Sequence, residues 1–283
     1  MINEGPDQWG IRDDGWKTVK APTVTSGCDK EHRTQKLISI LSECKETGRF
    51  KPYSGMNEIK AKEVLNHLNH LMPNGFKEVD LKKLNLSNLT ILNDIVTVES
   101  LNLEQNKIKD PTILKKFTNL KKLDLSSNPV SNFNFLESLK VLENLRLDNM
   151  SHCNSFPASC LTGSQNLITL SLSNSNLKDA SPIQNLKKLK KLNLSNNSIS
   201  DFGFLGSLKM LQVLELNNVR NVDDNFSTCV KSIKRLRKLR LINTKINSLH
   251  YYRIKDSLPH VSIKADKIEF RNKIYNSKSI ENC

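Results

Sequence analysis

No stretch of this chain stays apolar for the roughly 20 residues that a membrane-spanning helix needs, and the mean hydropathy is −0.46. The opening MINEGPDQWGIRDDGWKTVK holds no hydrophobic signal region. Cys283 stands last rather than fourth from the end, so no prenylation box is formed. Cysteine is scattered: Cys28, Cys44, Cys153, Cys160, Cys229 and Cys283 make no C-x-x-C pair and no cluster. That spacing argues against a disulfide framework, and an intracellular setting, cytoplasmic or nuclear, is expected. Catalytic patterns are missing too, with no G-x-S-x-G, no Gly-rich phosphate loop, no H-E-x-x-H and no paired-cysteine zinc pattern. Only six histidines are present. His67 and His70 have a spacing that suits a shared metal, but no third ligand accompanies them. The expectation is a chain without enzymatic activity, cofactor or metal.

What the chain has in quantity is leucine at fixed intervals. Leu101 to Thr169 aligns without a gap on Leu170 to Lys238, a period of 69 residues. Within it the pair Leu101/Leu103 returns at Leu123/Leu125, Leu145/Leu147, Leu170/Leu172, Leu192/Leu194, Leu214/Leu216 and Leu239/Leu241, in steps of 22, 22 and 25 used twice. Nine strand positions follow from this spacing: Leu81, Leu103, Leu125, Leu147, Leu172, Leu194, Leu216, Leu241 and Ile263. Alternate residues of a strand face opposite sides, so each leucine pair points inward and the residue between them outward. An Asn follows some pairs, as at Asn128 and Asn197, where its amide can satisfy turn backbone that no strand reaches. In the two 25-residue repeats the returns, Met150 to Ser164 and Val219 to Ile233, lose that Asn and are expected as helices or protruding loops.

The L-x-x-L-x-L-x-x-N-x-I/L pattern, clearest in Leu120-Leu123-Leu125-Asn128-Val130 and Leu189-Leu192-Leu194-Asn197-Ile199, is that of the leucine-rich repeat of the 22-residue class. The units resemble those of the phosphatase-1 regulatory leucine-rich subunit and of internalins. Tyr251-Tyr252-Arg253 followed by Leu258-Pro259-His260-Val261 resembles the closing cap of the acidic leucine-rich nuclear phosphoproteins, although Lys264-Ala265-Asp266 departs from its usual ending. The fold class implied is an α/β solenoid with a curved parallel sheet on the concave side and short helices or turns on the convex side.

The domain reading is a disordered tail over 1–30, a helical N-terminal cap over 31–75, repeats with a C-terminal cap over 76–268, and a tail over 269–283. Leu37, Ile38, Ile40 and Leu41 mark one cap helix, and Ile59, Ala61, Val64, Leu65, Leu68 and Leu71 a second. In the tail, Trp9 and Trp16 are candidates for docking into a partner.

Candidate sites are surfaces. The residues between the leucines form one column: Asp80, Asn102, Asp124, Arg146, Ser171, Asn193, Glu215, Arg240. The residues before them form another, with Ser100, Lys122, Asn144, Thr169, Lys191, Val213 and Lys238. From these, Asn102, Asp124, Arg146, Asn193, Glu215, Arg240, Lys122 and Lys191 are expected to bind a protein partner on the concave face. The chain carries +14 overall, and Lys231, Lys234, Arg235, Arg237 and Lys238 make a basic edge. The function expected is an interaction scaffold or adaptor, monomeric by itself. Two alternatives stand: an RNA-associated protein whose basic end contacts phosphates, and an internalin-like host-interaction protein.

Overall fold

The structure is a computed structural model. It describes residues 30–53, 55–72, 74–95, 97–150, 157–219, 222–266, 268–270 and 273–275. Trp9 and Trp16 lie outside the described residues, as do Cys28, Cys153 and Cys283. The chain divides into two compact units, Met1–Leu142 and Glu143–Cys283.

In the first unit the order is α1 (Lys30–Thr47), β1 (Arg49–Phe50), α2 (Glu58–Leu71), β2 (Glu78–Asp80), β3 (Ser100–Asn102) and β4 (Lys122–Asp124). The helix α2 starts where Asn57 accepts the Lys60 N–H at 2.9 Å, an N-cap that removes one orphan donor of the first turn. Its Ala61, Val64, Leu65 and Leu68 fall on one buried face. Ile59 and Leu71, expected on that face, are exposed: Ile59 sits off the i, i+3, i+4, i+7 stripe, and Leu71 is the last residue of the helix. Between the helices runs β1, an element too short for any period to announce. It pairs parallel to β2, Phe50 opposite Val79. Phe50 packs edge-on against Phe76 at 6.1 Å, both fully buried. The N-terminal segment therefore combines two helices with the first strand of a sheet, rather than helices alone.

Strands β1 to β4 are parallel and in unbroken register: Glu78, Ser100 and Lys122 align, as do Val79, Leu101 and Leu123. Strands β2, β3 and β4 are each followed by a 3-10 turn, at Thr90–Leu92, Thr112–Lys116 and Asn134–Ser138. These turns start on a short polar side chain: Asn88 Oδ1 accepts the Thr90 N–H at 3.1 Å, Asp110 Oδ1 that of Thr112 at 2.9 Å, and Asn132 Oδ1 that of Asn134 at 2.9 Å. Asn and Asp favour such local bonds over continuing a strand.

The second unit repeats the scheme with β5 (Asn144–Arg146), β6 (Thr169–Ser171), β7 (Lys191–Asn193), β8 (Val213–Glu215), α3 (Asp224–Lys231), β9 (Lys238–Leu241), β10 (Ile246–Asn247), α4 (Ser248–Ser257), β11 (Ser262–Ala265), β12 (Ile268–Phe270) and β13 (Lys273–Tyr275). Strands β5 to β9 are parallel neighbours, and β11 adds beside β9. The register there differs from expectation by two residues. Ile263 lies opposite Leu239, and Ala265 opposite Leu241. A shift of two preserves the face, and the small Ala265 is the residue buried at the second leucine position. The segment expected as a C-terminal tail carries β12 and β13, antiparallel to each other, with β10 on the other side of β12.

Of the two long returns, Val219–Ile233 contains a true helix. Asp223 Oδ1 caps α3 by accepting the Phe226 N–H at 3.0 Å, and Phe226 and Val230 are fully buried. The other long return ends in a 3-10 turn at Ala158–Gly163, and its residues 151–156 lie outside the described ones.

Asparagine holds consecutive repeats together. Asn197 donates to the Leu172 and Leu194 carbonyls at 2.7 and 3.0 Å and accepts the Ser175 and Leu177 N–H groups at 3.2 and 2.9 Å. Asn106 does the same between its neighbours, and Asn128 donates to Leu103 and Leu125. After each long repeat a hydroxyl replaces the amide: Ser175 Oγ donates to the Leu147 carbonyl at 2.6 Å, and Thr244 Oγ1 to that of Leu216 at 2.7 Å.

The residue before each of these positions has positive φ. In the second unit it is always Asn (Asn149, Asn174, Asn196, Asn218, Asn243), whereas the first unit uses Lys83, Gln105 and Ser127. A left-handed conformation costs most L-residues about 1–2 kcal/mol, less for Asn. Gln105→Asn and Ser127→Asn are each expected to raise stability by about 0.5 kcal/mol in urea unfolding; an unchanged midpoint would count against strain at these turns.

Candidate binding surfaces

The column between the leucines is polar but not open. Asp80, Asp124, Arg146, Ser171, Asn193 and Glu215 are buried, and only Asn102 and Arg240 are half-buried. The cause is local. An Asp or Asn here turns back to accept the backbone N–H two residues on: Asp80 from Lys82 (3.2 Å), Asn102 from Glu104 (3.0 Å), Asp124 from Ser126 (2.9 Å) and Asn193 from Ser195 (2.9 Å). These bonds terminate each strand and occupy the polar atom that a partner would meet.

In the second unit the charged members are held in ion pairs within the chain. Arg146 Nη2 lies 2.9 Å from Asp148 Oδ2. The second oxygen of Asp148 accepts the Ser171 hydroxyl at 2.6 Å and the Ser173 N–H at 2.8 Å. Arg240 Nε faces Glu215 Oε1 at 3.4 Å. Asp148, Ser173, Ser195 and Asn217 stand after the second leucine of their pairs, a position that the leucine spacing leaves unmarked. Asn217 Oδ1 accepts the Ile242 N–H at 2.9 Å, and Ser195 Oγ that of Asn217 at 3.1 Å.

Burial lifts the Asp80 carboxyl above its ordinary range, more than the Lys82 N–H bond and the charges of Lys82 and Lys51 lower it. A raised folded-state value means the native protein holds this proton more tightly than the unfolded chain. Asp80 therefore costs stability as pH rises through that interval, and the cost is absent below the unfolded value. Asp80→Asn keeps the acceptor for Lys82. It is expected to raise the melting temperature at pH 7 and to leave it unchanged near pH 3; an equal shift at both would remove the charge from the explanation.

The column before the leucines offers more surface. Ser100 and Lys122 in the first unit, and Asn144, Lys191, Val213 and Lys238 in the second, are half-buried, while Thr169 is buried. They stand in direct register, Thr169 with Lys191, Lys191 with Val213, and Val213 with Lys238. Lys234, Arg235 and Arg237 of the basic edge are exposed, and Lys231 and Lys238 are half-buried.

Other candidates are structural. His67 and His70 are exposed on α2, and no group of three possible metal ligands occurs among the described residues. Cys44 is buried, with its thiol pushed up to about 12 by burial and then by Glu43, which suppresses the thiolate. Burial also raises Cys229, with Asp201 adding to it. No helix among the described residues is long and apolar enough to cross a membrane.

Parallel strands one repeat apart, leucine columns beneath them and Asn-bonded turns define the leucine-rich repeat architecture. The family described as leucine-rich repeats (2 copies) matches residues 165–207. Among solved structures, an internalin C2 from Listeria monocytogenes str. 4b F2365 is 20% identical with a TM-score of 0.60, over 80% of this chain and 92% of that one. An internalin F from the same strain is 22% identical with a TM-score of 0.61, over 82% of this chain and 63% of the other. A plant peptide hormone receptor, RGFR1 in complex with RGF2, is 19% identical with a TM-score of 0.50, over 67% and 32% of the two chains. No curated protein matches the sequence. At these identities the likeness is one of fold.

Proposed function

We propose that this chain is a non-enzymatic protein-interaction scaffold that engages its partner through the strand face, at the column preceding the leucines. The observation that carries this reading is the contrast between two adjacent columns. The one between the leucines spends its polar atoms on strand ends and internal ion pairs. The one before them is half-open and in register across strands. Repeat proteins present such rows as extended binding surfaces.

In this reading Lys122 and Lys191 keep the expected binding role, whereas Asn102, Asp124 and Asn193 spend Oδ1 on strand-end N–H groups and Arg146, Glu215 and Arg240 are engaged in ion pairs. An intracellular setting belongs to the same proposal, supported by Cys44 as a free, buried thiol.

The test is affinity purification from cell extract, with and without nuclease, using the full chain and a Lys122→Ser/Lys191→Ser/Val213→Ser variant. Partners captured by the parent and lost with the variant, at an unchanged circular dichroism spectrum, support the strand face. Equal recovery overturns it, and loss of all partners on nuclease treatment points to RNA instead.

A further inference from the structure

The second unit contains a charged surface larger than the sequence cluster at Lys231 to Lys238. Three turns lead into β7, β8 and β9, at residues 185–190, 207–212 and 232–237. Backbone bonds set them side by side: the Gln212 N–H meets the Lys190 carbonyl at 2.8 Å, and the Arg237 N–H the Gln212 carbonyl at 2.8 Å. They carry Lys187, Lys188, Lys190, Lys209, Lys234, Arg235 and Arg237, and no Asp or Glu. All seven are exposed except Lys190, which is half-buried.

Several cations elsewhere are paired with carboxylates. Arg49 pairs with Glu78, Lys121 with Glu99, Arg146 with Asp148 and Arg240 with Glu215. On the three turns the acceptors are neutral: Lys188 Nζ meets Asn166 Oδ1 at 2.6 Å, Lys209 Nζ meets Ser232 Oγ at 3.2 Å, and Arg235 Nη1 meets Met210 Sδ at 3.1 Å. The side chains are steered by the neighbouring repeat while their charge stays uncompensated. Such a field attracts an anionic partner and speeds its encounter.

We propose that these three turns form a docking surface for an acidic segment of a protein partner. The inference rests on the scaffold reading and names the chemistry of the partner at a second place. Strands are about 4.8 Å apart, so three turns span only about 10 Å, the length of a few extended residues rather than of a nucleic-acid groove. No aromatic residue lies on the turns, so single-stranded nucleic acid finds no base-stacking platform. The two arginines supply forks for carboxylates. A second copy of this chain, at +14, is a poor source of the acidic segment.

The experiment is fluorescence anisotropy of a labelled oligoglutamate peptide with the full chain. A single-stranded and a duplex RNA of matched charge are run in parallel, from about 50 to about 200 mM salt. The variant Lys188→Gln/Lys209→Gln/Arg235→Gln/Arg237→Gln is compared with a control, Lys107→Gln/Lys109→Gln/Lys115→Gln/Lys116→Gln, which removes the same charge from exposed sites in the first unit. The expected result is a loss of affinity for the peptide of about tenfold or more in the first variant and under about twofold in the control. Should the quadruple variant not fold, Arg235→Gln/Arg237→Gln alone is expected to lose at least about threefold. Equal losses in variant and control, no peptide binding at low salt, or tighter binding of either RNA overturns the proposal. Failure here with strand-face capture intact leaves the scaffold standing; loss of capture with peptide binding intact does the reverse.

Discussion

Replacing Asn197 by Ala is expected to cost about 4 kcal/mol in equilibrium unfolding. The amide makes three donated and two accepted bonds in the 2.7–3.2 Å range, all to backbone of its own and the preceding repeat. A net bond contributes about 1 kcal/mol, and a buried backbone group left without a partner costs about 1–3 kcal/mol. Leu172, Leu177 and Leu194, whose carbonyls or N–H groups would be orphaned, are fully buried, so water cannot replace the lost partner cheaply. Asn197→Ser is expected to recover a part of the loss, near half, because Ser175 and Thr244 already reach a preceding carbonyl with a hydroxyl. Chemical denaturation of the three proteins, with unchanged m-values, provides the check. A cost below about 1 kcal/mol for Asn197→Ala would mean that the turn relaxes and that leucine packing alone joins the repeats.

The comparison of Asn197 with Asp124 explains how much of the molecule was legible beforehand. Leucine columns follow directly from periodicity, since a 22-residue step with an apolar pair at fixed phase admits one repeated coil. Leu192, Leu214 and Leu239 are indeed opposite one another and fully buried. Polar residues at the same phase are ambiguous. An Asp between two leucines reads as a face-out side chain, and only the short reach to the N–H two residues on, made by Asp124 to Ser126 at 2.9 Å, reveals it as a strand terminator. The same ambiguity hid the Arg146–Asp148 pair, because a sequence does not show whether two charges two apart meet each other or a partner. Short elements escaped for another reason. Arg49–Phe50 holds too few residues to show alternation, and it becomes a strand because the neighbouring β2 offers it a parallel edge. The basic turns were half visible. Lys231 to Lys238 stood out as a run, whereas Lys188 and Lys209 join it only when the repeat register stacks them.

Phe226→Ala is expected to cost about 3–5 kcal/mol. Phe226 is fully buried and meets the Phe202 ring edge-on, centroids 5.1 Å apart at 74°. The stake is what kind of element the long return Val219–Ile233 is. Were it a loop carried on the surface, truncating its aromatic would cost no more than about 0.5 kcal/mol. Phe226 instead seats α3 on the turn that contains Phe204 and Leu205, both buried, so its removal leaves a cavity that the rigid parallel coils on either side cannot close. Phe226→Leu, which keeps most of the volume but not the edge-to-face contact, is expected to lose about 1–2 kcal/mol. The graded series, read by urea denaturation, separates a packed helix from a decorative loop. Because α3 also ends at Lys231, directly before the turn bearing Lys234, Arg235 and Arg237, the same cavity is expected to loosen the basic surface. Phe226→Ala should therefore weaken oligoglutamate binding at a temperature where the rest of the unit is still folded, while Phe226→Leu leaves that binding intact.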